Sequence, residues 1–286
     1  MEKQMEFKKI GVLGTGQMGA GICQVAAAAG CEVLMADLNI DIVKKALGGI
    51  EKRLGKAVAK GRMDQAAVDK IMANLHPVEG IADFKDVDIA IEAATENIDL
   101  KLKLFKGLDE AIKPEAILAS NTSSISITLM AAATSRPDKV VGMHFMNPVP
   151  VMKLVEMIPG LQTDDAVFED VVKLAQTWGK TTTVSKDFPG FIVNRLLIPY
   201  LNEACFAHTE GLGTIEDIDT SIKLGLNNPM GPFALADLIG LDTVLAIANV
   251  LHDGLGDPKY RPSPMLIKYV EAGWLGRKTG RGFLQY

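Results

Sequence analysis

Short apolar runs alternate with longer amphipathic stretches through the first half of the chain. The runs "KKIGVLG", "CEVLMAD", "DVDIAIEA", "AILASNTS" and "KVVGMHF" are rich in β-branched residues and are bounded by turn formers, the pattern of buried strands. Between them, Gln17 to Ala29 and Asp99 to Ile112 space their apolar residues as helices do. Strand and helix in alternation predict an α/β domain, a mostly parallel sheet with helices on both faces. The segment "IVKKALGGIEKRLGKAVAKGRMDQAAVDKIMANL" is longer than one crossover needs. It reads as a helical insertion, a pair of helices broken near Gly61. After "TTTVSKDFPGFIVNR" the pattern changes. "GFIVNRLLIPYLNEACFAHTEGL", "TIEDIDTSIKLGL" and "FALADLIGLDTVLAIANVL" carry helical periodicity alone, so an all-α domain should follow. The boundary falls within Lys186 to Pro189, which gives domains 1–186 and 187–286.

Composition changes this picture little. A chain of 286 residues, 48% apolar and 23% charged, has an ordinary globular make-up and can bury a sizeable core. Its formal net charge of −5 disfavours nucleic acid as a partner, since duplex binding is mostly phosphate neutralisation. The opening "MEKQMEFKKIGV" places charges where a secretion signal needs an apolar core. No apolar run approaches the ~20 residues that span a bilayer. Cys23, Cys31 and Cys205 form neither a CxxC motif nor a disulfide framework. A reduced cytoplasm is the expected setting, with no membrane partner and no metal held by thiolates.

The stretch "IGVLGTGQMGAGI" sets Gly14, Gly16 and Gly19 in G-x-G-x-x-G spacing. The spacing alone is weak, but here it follows a predicted strand and opens a predicted helix, as a dinucleotide loop does. In that role Gly14 permits the tight turn, Gly16 lets the backbone approach a pyrophosphate, and Gly19 lets helix and strand pack closely. The pyrophosphate would sit on the free N–H groups of the helix start. The next strand ends at Asp37, placed to accept hydrogen bonds from the adenine ribose and to repel a 2′-phosphate. NAD is therefore expected over NADP. Such a loop does not specify a reaction.

The reaction has to come from "HFMNPVPVMKLVEMI". This mostly apolar segment carries one imidazole, His144, and one carboxylate, Glu156. If the chain runs back beside itself after the Pro148–Pro150 turn, the two side chains face each other. A carboxylate on one ring nitrogen fixes the tautomer and stabilises the imidazolium, while the other nitrogen moves a proton. A histidine paired for packing alone is the competing reading. "ASNTSSIS" places Asn121, Thr122, Ser123 and Ser124 at the end of a buried strand, where ligands of open α/β sheets bind. Asn194 lies among apolar neighbours at the start of the helical domain. Ser and Asn can hydrogen-bond a reacting oxygen or simply cap a helix.

Together, "GVLGTGQMGAGI", "SNTSSISIT", "GMHFMNPVPVMKLVEMI" and "DFPGFIVNRLLIPYLNEA" resemble the L-3-hydroxyacyl-CoA dehydrogenase family over nearly the whole chain. Within it they resemble the short bacterial 3-hydroxybutyryl-CoA branch. The resemblance implies a Rossmann-like NAD domain and a helical domain for substrate binding and dimerisation. It makes His144 the catalytic base and Glu156 its orienting partner, with Ser123 and Asn194 on the substrate's reacting oxygens and Asn147 in the same cleft. It also places Glu96, Lys101 and Lys278 near the NAD. Gln17 and Met18 in the glycine loop, and Asn121, complete the expected cofactor contacts. Coenzyme A enters as the acyl carrier. Lys52, Lys56 and Lys60 recur every four residues along one face of the insertion helix, a basic ridge able to meet its phosphates.

The expected activity is reversible oxidation of a short (S)-3-hydroxyacyl-CoA, four carbons favoured, with a His–Glu proton relay. Two alternatives stay open. One is a β-hydroxyacid dehydrogenase acting on free acids, which shares the glycine loop but relies on a catalytic lysine. The other is a non-catalytic NAD(H)-binding protein. The apolar stretch "GPFALADLIGLDTVLAIANVL" exceeds what one small bundle buries, and predicts a homodimer through the helical domain.

Overall fold

The computed structural model describes residues 6–286, so the opening segment read for a secretion signal lies partly outside the described residues. The chain divides into two compact units, one ending at Phe188 and the other beginning at Pro189. Asp187 belongs to the first because it is tied there. Its carboxylate accepts hydrogen bonds from Ser126 Oγ and from the Ile127 and Thr128 amides.

The first unit begins with β1 (Lys9–Leu13), α1 (Gln17–Ala28), β2 (Glu32–Ala36), α2 (Ile40–Ala59), α3 (Gln65–Ala73) and β3 (Leu75–Pro77). It continues through β4 (Ile89–Glu92), α4 (Ile98–Ala111), β5 (Ile117–Ser120) and α5 (Ile127–Ala132). β6 (Val140–Phe145), β7 (Leu154–Pro159), α6 (Asp165–Thr177) and β8 (Thr181–Val184) complete it. The strands form one eight-stranded sheet in the order β3-β2-β1-β4-β5-β6-β7-β8. All neighbours are parallel except β6 and β7. The mostly parallel α/β sheet expected from the sequence is present. The order reverses between β1 and β4, the kind of switch point outside which ligands of such sheets bind.

The helical insertion is a pair. α2 starts on Asn39, whose side chain accepts from the Ile42 amide, and α3 starts on Asp64, which accepts from Ala67. Gly61 at φ +65 turns the chain between them. Val43, Ile50 and Leu54 of α2, with Val68 and Ile71 of α3, join the core that α1 and α6 make on one face of the sheet. Into the same core β6 sends Met143 and Phe145, and β7 sends Val155 and Met157. Strand alternation therefore sends His144 and Glu156 to the opposite face.

The second unit is all-α: α7 (Val193–Thr209), α8 (Ile215–Gly225), α9 (Pro232–Ile239), α10 (Leu241–Leu255) and α11 (Pro264–Glu271). Its core includes Ile198, Leu201, Phe233, Val244, Leu251 and Leu266. The stretch "FALADLIGLDTVLAIANVL" is divided between α9 and α10, bent by 97° at Gly240, whose φ is +102. Among the described residues no single helix is long and apolar enough to cross a membrane.

Candidate active site

The glycine loop turns as its spacing requires. Gly14 has φ +95, and a Cβ there would stand 2.7 Å from the Ala93 carbonyl. A Cβ on Gly19 would overlap the Gly14 carbonyl oxygen, so only glycine lets α1 lie this close to β1. A Cβ on Gly16, the N-cap of α1, meets nothing within 4 Å. The loop thus presents bare backbone and a helix start toward open space, the cradle a pyrophosphate needs. At the end of β2, Asp37 Oδ2 accepts from the Thr15 amide at 2.5 Å and the Thr15 hydroxyl at 2.9 Å, while Oδ1 accepts from the Leu38 amide at 2.8 Å. Gln17, at the start of α1, donates to Asn147 Oδ1 at 3.0 Å. Two candidate residues 130 positions apart are thereby joined. Met18 is partly buried against the core. These residues fit a bound dinucleotide.

Next to the loop lies a buried ionic cluster. Glu92, the last residue of β4, and Lys101, in the first turn of α4, are 0% and 1% exposed and pair at 2.6 Å. Glu92 also accepts from the Ala94 amide at 2.6 Å and the Ser120 hydroxyl at 2.7 Å. Lys101 reaches Glu96 at 3.4 Å. Glu96 Oε1 in turn accepts from Thr122 Oγ1, the Ser123 and Ser124 amides and the Ser124 hydroxyl at 2.5 to 3.1 Å. The Ser123 hydroxyl stands 3.3 Å from the same oxygen. Burial pushes the Glu96 carboxyl up, but the Lys101 charge and these hydrogen bonds outweigh it and hold the group below the usual carboxylate range. Lys101, expected beside the cofactor, faces inward to two carboxylates. Glu96 and the 122–124 loop form the outer end of its network.

The imidazole and the carboxylate do face each other. β6 and β7 are antiparallel with His144 directly opposite Glu156, and directly opposed residues point to the same side of a sheet. His144 Nδ1 lies 2.7 Å from Glu156 Oε2. The pair is 6% and 0% exposed. Asn121, the residue after β5, supports it, its Oδ1 accepting from the Phe145 amide at 3.0 Å. Beyond the pair, Lys180 holds the loop that joins β6 to β7, donating to the carbonyls of Val149 at 2.5 Å and Met152 at 2.8 Å.

Lys52 and Lys56, in the C-terminal half of α2, and Lys60, which caps it, are exposed. The first unit also has a cavity of about 520 Å³ whose lining includes Gln24, Leu54, Met63, Pro150, Lys153 and Lys180 but none of these three lysines. Two candidates belong to the second unit. Asn194 stands in the first turn of α7, and Lys278 pairs with Asp242 at 2.6 Å. Thr15, Glu92, Ser120 and Lys180 hydrogen-bond within or beside these groups, and the sequence did not single them out. Glu92 alone left a trace there, as an acid closing the apolar run "DIAIE".

A glycine-loop cradle after β1 and a carboxylate-held imidazole on β6 of the same sheet fit one class, a dehydrogenase. Residues 9–188 match the family described as "3-hydroxyacyl-CoA dehydrogenase, NAD binding domain", and residues 190–286 its C-terminal domain. The 3-hydroxybutyryl-CoA dehydrogenase of Bradyrhizobium diazoefficiens is 52% identical over 280 residues, 98% of this chain and 96% of that one. That of Clostridioides difficile is 47% identical over 278 residues, 97% of this chain and 99% of its own. The crystal structure of (S)-3-hydroxybutyryl-CoA dehydrogenase from Ralstonia eutropha superposes with a TM-score of 0.96 at 47% identity, covering 98% and 99% of the two chains. The chain belongs to the 3-hydroxyacyl-CoA dehydrogenase family.

Proposed function

We propose that the protein catalyses the reversible oxidation of (S)-3-hydroxybutyryl-CoA to acetoacetyl-CoA. The reading is carried by the 2.7 Å contact of His144 with Glu156 at the end of β6. Glu156 keeps the proton on Nδ1 and turns Nε2 to the substrate as the base. During oxidation the C3 hydroxyl proton passes to Nε2 as the C3–H bond gives up its electron pair. Glu156 stabilises the imidazolium that results, and in reduction His144 returns the proton to the carbonyl oxygen. NAD, when bound, supplies the hydride acceptor. Gly14, Gly16, Gln17, Met18, Gly19, Asp37, Glu96 and Asn121 are its proposed contacts, and Lys101 acts through Glu96.

Ser123 is the proposed partner of the C3 oxygen, and Asn147 lines the substrate's path. Asn194 and Lys278 take their roles, substrate and cofactor contact, from the family resemblance alone. Lys52 and Lys56, with Lys60, offer positive charge for the phosphates of coenzyme A. The four-carbon acyl group follows the names of the similar bacterial enzymes. Leu212, Leu224 and Leu226, exposed on the second unit at 80%, 74% and 64%, support pairing with a second copy.

NADH oxidation with acetoacetyl-CoA, longer 3-oxoacyl-CoA thioesters and free acetoacetate tests the substrate. The highest kcat/KM is expected with acetoacetyl-CoA. A preference for the free acid would overturn the thioester reading, and a preference for long chains would overturn the four-carbon one.

A further inference from the structure

Both carboxylate oxygens of Asp37 are engaged by the chain itself. Oδ2 takes two hydrogen bonds from one residue, the amide and the hydroxyl of Thr15, and Oδ1 takes the Leu38 amide. An aspartate at a strand end can swing about χ1, and a carboxylate that swings away no longer bars a 2′-phosphate. Here the swing is opposed. Thr15 is 3% exposed, so moving Asp37 would strand a buried hydroxyl and a buried amide without their acceptor, which is costly. The residues next to Asp37 bring no cation, the first in α2 being Lys44 and Lys45. Leu38, Asn39 and Ile40 carry no charge, and Asp41 adds a second acid in the first turn of α2.

We propose that Thr15 is a specificity-determining residue: it pins the Asp37 carboxylate toward the adenine ribose, so that NAD is accepted and NADP refused. In the motif G-x-G-x-x-G this is the first variable position, which the fingerprint itself leaves open. The acid supplies the repulsion, and Thr15 makes the repulsion unavoidable. The proposal rests on the reading that NAD is the cofactor.

The test is binding rather than turnover. Dissociation constants for NADH and NADPH are measured by fluorescence titration on the same preparation of full-length wild type, Thr15→Ala and Thr15→Ser. The wild type should bind NADH more tightly. Thr15→Ala keeps the amide and loses the hydroxyl, and its NADPH-to-NADH ratio of dissociation constants should fall about tenfold, as for loss of a hydrogen bond to a charged group. Thr15→Ser keeps the hydroxyl and should keep the wild-type ratio. An unchanged ratio in Thr15→Ala would overturn the role of Thr15 while leaving the NAD reading intact, and so would an equal fall in Thr15→Ser. A wild type that binds NADPH as tightly as NADH would overturn the NAD reading itself, and the proposal with it.

Discussion

A lysine that is 1% exposed is tolerated only because carboxylates share it. Lys101 neutralises Glu92, which is wholly buried, and touches Glu96, which holds the Ser123 loop. Removing the lysine leaves a buried, uncompensated carboxylate, a loss typically of about 3–5 kcal/mol. Lys101→Met should therefore lower the unfolding free energy by about that amount in urea denaturation, and the double variant Glu92→Gln/Lys101→Met should recover much of it. A Lys101→Met variant within about 1 kcal/mol of wild type would mean that the cluster is not the buried ion pair described. The partnership could not be read from the chain. Lys101 invited a role at the cofactor, and the carboxylate it pairs with sits nine positions earlier, across a turn that only the fold closes. His144 and Glu156 were easier, because a turn of prolines between two apolar runs sets their register.

At the scale of elements, the strands with clear apolar runs were visible in the sequence and the exposed ones were not. β1, β2, β4, β5 and β6 are buried, with β-branched cores that stand out from their neighbours. β8, Thr181–Val184, is mostly exposed and does not alternate. β3 is three residues long and ends in a proline at the sheet edge, as strand prolines do. β8 has no face that burial could mark, and β3 buries Leu75 alone. The α9–α10 stretch misled in the opposite way. Its apolar periodicity continues through Gly240, but that residue's φ of +102 ends one helix and starts another. Periodicity reports which positions are buried, not whether the backbone between them stays helical. The glycine loop was legible because its residues are contiguous and each glycine has a separate steric reason.

For the whole molecule, two family domains in succession span the chain almost end to end, and each unit has its own core. The second unit still leaves large leucines in solvent, and exposed apolar surface of this kind commonly marks an interface. Light scattering at micromolar concentration should return the mass of two chains. A mass of 30.7 kDa, that of one chain, would contradict the dimer. The proposed chemistry is tested elsewhere, at the imidazole. The most direct measurement is the turnover of His144→Ala with acetoacetyl-CoA and NADH, on protein whose urea midpoint and NADH affinity match the wild type. A loss of ~10²–10⁴-fold in kcat is expected for removal of the proton carrier. Turnover equal to that of the wild type would show that His144 carries no proton in the reaction.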